Sequence, residues 1–170
     1  MYAVPYVTGK IKDAKARYYA ALRFSIGRNV SQLMAANPST LIQLARTLDA
    51  EKEYLLRDLR DGTLRSDLDI APEIRTYLST RASKDARRAA ELSAVAAKLG
   101  RLYPMDVWPT DGTVINCWTG GSMGPYLRQL PQYYGEPPIH DLGLLASEGR
   151  FTIPLSGGTS SGVLDIWSHY

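Results

Sequence analysis

Over the first hundred residues, apolar positions recur at helical spacing. Ile11, Ala14, Tyr18, Ala21, Leu22, Ser25 and Ile26 fall on one side of a helix over residues 9–27. Lys10, Lys12, Lys15, Arg17 and Arg23 lie elsewhere on it, and Gly27 is its stop. The brief run 30–36, flanked by Asn29 and Asn37, predicts a strand. Asn37-Pro38 then opens a second helix, with Asn as cap and Pro in the first turn, where its fixed φ fits. Leu41, Ile42, Leu44, Ala45 and Leu48 form its buried face. A charged helix over 51–61 ends at Asp61-Gly62, and Ala71-Pro72 starts a short one. Ser83 caps a long helix that runs to Leu99 and stops at Gly100. Its alanines, among them Ala86, Ala89, Ala90 and Ala97, predict close packing on a neighbour. From Tyr103 the texture changes to prolines, glycines and β-branched runs, which predict strands at 113–118, 141–147, 150–155 and 163–167.

Two apolar runs in this second half end abruptly in small and polar residues. One is Asn116-Cys117-Trp118-Thr119-Gly120-Gly121-Ser122-Met123, and the other is Leu144-Leu145-Ala146-Ser147-Glu148-Gly149. Each looks like a buried strand delivering a loop to the rim of a sheet. Between them, residues 126–135 have apolar positions at helical spacing and close on Gly135. Strand, glycine loop, helix, strand and acidic loop outline a crossover unit with both loops at one edge, where open α/β sheets bind ligands. The expected fold is therefore α/β, with helices packed on a mixed, partly parallel sheet. No linker stands out, so residues 1–170 are expected to form a single, partial domain. A helix-rich half, 1–100, and a strand-rich half, 101–170, would share one core.

Composition narrows this picture. With 45% hydrophobic and 22% charged residues the chain reads as globular. No apolar run approaches the length of a membrane helix, and the start shows no basic segment followed by an apolar core. The single cysteine, Cys117, permits no internal disulfide and offers no metal-ligand spacing, so a reduced, cytoplasmic setting is expected. Inside an apolar strand it is not a reactive thiol. Residues 1–100 hold 17 Lys and Arg against 11 Asp and Glu, a net +6, while 101–170 hold 3 against 6, a net −3. No dense basic block interleaves with aromatics, which argues against nucleic acid and for solvated helix faces. His140 and His169 stand alone, and Trp108, Trp118 and Trp167 read as core. The run Ser156-Gly157-Gly158-Thr159-Ser160-Ser161-Gly162 lacks lysine and reads as a hairpin or turn. Taken alone, Ser147 and Glu148 could be an exposed turn, and Gly120-Gly121-Ser122 a plain strand-to-helix turn.

Thr119-Gly120-Gly121-Ser122-Met123, then Tyr134-Gly135-Glu136-Pro137-Pro138, then Ala146-Ser147-Glu148-Gly149, in this order, resemble the auxin-responsive (GH-three type) acyl-acid amido synthetases. The resemblance extends to Tyr2-Ala3-Val4-Pro5, Asn37-Pro38-Ser39-Thr40-Leu41 and Arg57-Asp58-Leu59-Arg60-Asp61-Gly62. It implies the large N-terminal domain of an adenylate-forming enzyme: a carboxylic acid and ATP give an acyl-adenylate, which passes to an amine or amino acid. It also implies roles. Glu148 would hold magnesium, which takes few protein oxygens beside phosphates. Ser147 would donate to the α-phosphate, where charge develops. Thr119, Gly120, Gly121 and Ser122 would line the adenine and ribose. Leu144 stands where many relatives place an aromatic on the adenine, and an aliphatic chain covers a purine face without π-stacking. Arg150 would reach a phosphate or the substrate carboxylate, or pair with Glu148. The family's phosphate loop would lie before Met1, and its ribose aspartate and lysine-bearing domain after Tyr170. On this reading the chain is an internal fragment, inactive alone. The competing expectation is a non-catalytic module whose basic helical face binds an acidic partner or RNA. The identity of the acid and amine, and the oligomeric state, are not encoded in these motifs.

Overall fold

The computed structural model describes residues 2–165, which divide into two compact units: residues 2–30 with 43–108, and 31–42 with 109–165. The first is helical. Helix α1, Ala14–Ser25, begins where the Asp13 carboxylate accepts the Ala16 N–H at 2.7 Å. Its buried side is Ala16, Tyr19, Ala20, Leu22, Arg23 and Phe24, which corrects the predicted face: Ala14 is exposed, and Tyr18 and Ala21 are half-buried. Arg23, expected among the outward cations, is 2% exposed because two backbone carbonyls need donors, Thr63 at 2.8 Å and Ser83 at 2.9 Å.

Strand β1, Gln32–Met34, stands where a strand is predicted, and helix α2, Pro38–Ala50, follows, its first turn held by the Asn37 side chain accepting the Ser39 N–H. Leu41, Ile42, Ala45 and Leu48 are buried as expected, and Leu44 is half-buried.

Helix α3, Lys52–Asp61, ends on Gly62 at φ +75°, a left-handed conformation that glycine adopts without strain. The Asp58 carboxylate, 1% exposed, gathers three donors: the Tyr19 hydroxyl at 2.8 Å, the Thr63 hydroxyl at 2.8 Å and the Arg65 N–H at 2.7 Å. Arg57 pairs with its second face at 3.4 Å. Burial, then the hydrogen bond to Asp58, push the Tyr19 phenol well above its ordinary range. Helix α4, Pro72–Ser79, starts with Pro in its first turn as predicted.

Helix α5, Ala86–Leu99, packs on α3 and stops at Gly100, φ +69°. Its cap is Asp85, which accepts the Arg88 N–H at 2.8 Å, and not Ser83, whose position precedes the first turn by too much to reach it. The packing on α3 is what its alanines predict; Ala89 and Leu92 are its buried residues, while Ala86, Ala90, Ala94 and Ala97 keep an exposed side. The short α6, Pro104–Val107, leads into Trp108, a core residue as predicted, whose indole N–H donates to the Ser25 carbonyl.

The second unit is built on a parallel sheet. Strand β2, Val114–Asn116, lies between β1 and β3, Ile139–His140, with Leu33, Ile115 and Ile139 in register. The β2–β3 crossover consists of two short helices, α7, Gly124–Leu127, and α8, Leu130–Tyr134, where one helix over 126–135 is expected. Pro131 has no N–H to continue the first helix, so the chain restarts there. Leu130, Tyr133 and Tyr134 bury this segment, and the Tyr134 hydroxyl donates to the Leu41 carbonyl at 2.8 Å.

The remaining strands form two antiparallel hairpins: β4, Leu145–Ala146, with β5, Gly149–Arg150, and β6, Thr152–Pro154, with β7, Gly162–Leu164. The predicted strand over 141–147 is thus split. Residues 141–144 bend after β3 because Asp141 and Gly143 form a turn of their own. The predicted strand over 150–155 is broken at Phe151 in the same way, between the two hairpins. For the strand predicted at 163–167, Ile166 and Trp167 lie outside the described residues, as does His169. The α/β class and the mixture of parallel and antiparallel pairing are those expected.

Candidate functional site

Strands β2 and β3 run parallel, so their C-terminal ends share one edge of the sheet. Past that edge the pairing continues for a residue or two, with the Cys117 N–H donating to the His140 carbonyl and the Trp118 N–H to Ala36. Cys117 is sealed inside. Burial, helped by the nearby Asp141 charge, pushes its thiol up to about 11, so it stays protonated and is no nucleophile, as expected.

The two loops leaving this edge are then tied together by Asp141. Its carboxylate accepts the Thr119 N–H at 2.6 Å, the Thr119 hydroxyl at 2.7 Å and the Gly143 N–H at 2.6 Å. Burial pushes the Asp141 carboxyl up. The Thr119 hydroxyl and the N–H groups of Thr119, Gly143 and Gly120 outweigh that and hold it below the usual carboxylate range. A second tie runs beside it, from the Trp118 indole N–H to the Gly143 carbonyl at 3.0 Å. Gly143 adopts φ +76°, and a Cβ there would collide with the Thr152 carbonyl, so glycine alone fits. The loop between β6 and β7 closes on the same edge. The Gly158 N–H donates to the Ile139 carbonyl, and a Cβ on Gly120 would sit 3.1 Å from Ser160.

Of the residues singled out from the sequence, Thr119 and Gly120 belong to this knot. Gly121 and Ser122 lie outside it: both are exposed, and nothing lies within 4 Å of where a Gly121 Cβ would be. Leu144, 61% exposed, follows Gly143 directly and begins the hairpin, with its N–H donating to the Thr152 hydroxyl and its carbonyl accepting from Phe151. Ser147 and Glu148 form the two-residue turn of that hairpin, since Ala146 pairs with Gly149. Both are exposed, and neither enters a hydrogen bond or ion pair among the described residues. Glu148 is therefore at a hairpin tip and not directly past a parallel strand. Arg150 donates to the Leu142 carbonyl at the hairpin's base.

The chemistry of the donor set fits a magnesium–phosphate group in one respect. Magnesium bound to a phosphate chain needs one or two carboxylates, and Glu148 offers one that is uncommitted. Asp141 does not qualify, because its oxygens are already taken by protein donors. Among the described residues no three of His, Cys, Asp and Glu gather into a metal-binding cluster.

Sequence reasoning passed over Asp141 and Gly143 and read Trp118 only as core. The signal was present: an Asp two residues before a Gly is the pattern of an Asx turn.

Comparison with known proteins bears on both halves. The family model described as GH3 family N-terminal domain matches residues 1–139, which includes residues 119–122 and stops before the hairpin that carries Glu148. A jasmonoyl–L-amino acid synthetase of Nicotiana attenuata, JAR6, is 30% identical over 112 residues, 65% of this chain and 19% of the relative. One of Oryza sativa subsp. japonica, GH3.5, is 31% identical over 112 residues, with the same coverage of each. The chain spans about a fifth of the length of these curated relatives. Among solved structures, the GH3.15 acyl acid amido synthetase superposes with a TM-score of 0.73 at 19% identity, over 89% of this chain and 28% of that one. The AtGH3.15 enzyme in complex with 2,4-DB gives 0.62 at 20% identity, over 76% and 23%.

Proposed function

The chain belongs to the GH3 family, and we propose that it is part of an ATP-dependent ligase joining a carboxylic acid to an amine, with an amino acid as acceptor. In that reaction the acid's carboxylate attacks the α-phosphorus of ATP and pyrophosphate leaves. The amine nitrogen then attacks the acyl carbon, and AMP leaves as the amide forms. The relatives with amino-acid synthetase names match about a fifth of their length here, so the complete reaction is proposed for a protein of their size. The 170 residues alone do not turn over on this reading. No helix among the described residues is long and apolar enough to cross a membrane, and a cytoplasmic setting accords with a single cysteine that can form no internal disulfide.

The observation that carries the reading is the Asp141 knot, which ties the 119–122 loop to the base of the Ser147–Glu148 hairpin at the ligand edge of a parallel sheet. Gly121 and Ser122 would lie along the nucleoside, where an absent Cβ leaves room for a flat ring. Leu144 would cover one face of the purine. Ser147 would donate to the α-phosphate, and Glu148 would hold magnesium. The ion, when bound, neutralises phosphate charge that grows during attack. Arg57, Arg60, Arg65, Arg87, Arg88 and Arg101 are each paired with a carboxylate, which weighs against the helical unit as a bare basic face for RNA or an acidic partner.

The test is ATP–pyrophosphate exchange by the protein at its full length. Glu148→Ala lowers exchange by about 100-fold, as removal of one group that stabilises developing charge does elsewhere. Thermal stability stays unchanged, since the carboxylate holds nothing in place. Full exchange in the variant would refute the assignment.

A further inference from the structure

Outside the sheet unit, one buried cation has no use in the reading above. Arg23 is 2% exposed, yet only part of its guanidinium is satisfied, with Nε on the Thr63 carbonyl and Nη2 on that of Ser83. Nη1 has no acceptor among the described residues. It is also not sealed away, because the one fully buried polar atom lacking a partner there is the Thr8 hydroxyl. Arg23 lines a pocket of about 250 Å³ whose apolar wall is Phe24, Gly27 and Leu59. Its polar wall is Arg28, Ser83 and Asp85. The Arg28 side chain is exposed and meets no acceptor among the described residues. Asp85 is committed as the cap of α5.

We propose that this pocket binds a small, singly charged oxyanion between Arg23 and Arg28. Two guanidinium groups and one carboxylate leave the lining at net +1, which one negative charge balances. A guanidinium presents its N–H groups as a fork that matches carboxylate and phosphate oxygens alike. Burial also lowers the Arg23 pKa, the mark of a cation whose lost hydration is not fully replaced. An oxyanion on Nη1 replaces it. The site is independent of the nucleotide reading, and Glu148→Ala leaves it intact.

The experiment is a titration of the isotopically labelled 170-residue chain, following the Arg23 Nε–H and the Gly27 and Arg28 amides by ¹⁵N–¹H NMR. Sodium phosphate and sodium benzoate are the probes, and sodium chloride at equal ionic strength is the reference. Saturable shifts with a Kd of about 1 mM are expected for at least one probe. Arg28→Gln, at an exposed position that leaves the rest of the spectrum in place, weakens binding about tenfold. Glu91→Gln, outside the pocket, does not. Saturation by phosphate alone identifies a phosphoryl ligand. Saturation by benzoate alone identifies a carboxylate with an apolar body on Phe24 and Leu59. Shifts no larger than those with chloride, or binding that Arg28→Gln leaves unchanged, overturn the proposal.

Discussion

In the helical unit, a buried carboxylate, Asp58, draws in α1, the chain after α3 and a neighbouring arginine. In the sheet unit, Asp141 does the same for the two loops that leave β2 and β3. The devices are alike, but their surroundings are not. Around Asp58 the side chains close over the knot, and Tyr19 and Leu59 beside it are buried. Within seven residues of Asp141 the chain rises into a hairpin whose turn, Ser147 and Glu148, is exposed and uncommitted. A fixed base under a bare tip is how a scaffold presents reactive groups while the loops around them stay in place. On the function proposed above, the same kind of internal bond serves stability in one unit and presentation in the other.

The sharpest way to break this comparison is to remove both carboxylates and see which costs more. Asp58→Ala leaves the Tyr19 hydroxyl, the Thr63 hydroxyl and the Arg65 N–H without an acceptor inside the protein. A loss of about 3 kcal/mol is expected, because three donors lose a charged acceptor in a buried site. Urea unfolding measures it, and a loss under about 1 kcal/mol would mean that water takes over the site. Asp141→Ala is expected to cost less, about 2 kcal/mol, because its loop is shorter and nearer solvent. Amide exchange should speed up at Thr119 and Gly143, and ATP–pyrophosphate exchange should fall although Asp141 touches no substrate on this reading. Unchanged exchange of those two amides would show that the Trp118–Gly143 bond holds the loops unaided.

These two residues also show what the sequence made legible. Periodicity, breakers and the Asn37 cap located α1 to α5, β1 and β2, because those signals are local: an apolar stripe, Asn before a helix, glycine at positive φ after it. The glycine loop past β2 was legible for the same reason. The strand that completes the crossover, however, is Ile139–His140 and not residues 141–147, and the acidic loop is a hairpin tip and not the rim of that sheet. Long-range polar bonds were not legible. Nothing near Asp58 announces that Tyr19, thirty-nine residues earlier, donates to it. Likewise Arg23 reads as a surface cation until Thr63 and Ser83 carbonyls, forty and sixty residues away, demand its donors. The split of residues 141–147 into a turn and a hairpin had the same cause. An apolar run reads as one strand, whereas the Asp141 and Gly143 turn bends it.

The smallest effect expected is a slope with pH, and it tests how each carboxylate is held. Asp141 has a folded pKa below its unfolded one, so its contribution is present above the unfolded value of about 3.9 and is lost as pH falls through the folded value. Asp141→Asn removes that part of the acid slope. Glu51 in the helical unit moves in the same direction: burial pushes it up, but Lys15 at 3.0 Å and Arg65 at 2.6 Å prevail and hold it low. Its slope begins just below about 4.3. The two therefore overlap in pH and differ in cause, since cations hold Glu51 and neutral donors hold Asp141. Added salt separates them. Screening at 1 M reaches within about 3 Å and weakens the bond from Lys15, which is 67% exposed. The neutral N–H and O–H donors around Asp141 are barely affected. The difference between wild type and Glu51→Gln should therefore shrink with salt, while that between wild type and Asp141→Asn holds. If both shrink together, the loops past β2 and β3 are steered by the charge of the chain as a whole and not by the four donors that surround Asp141.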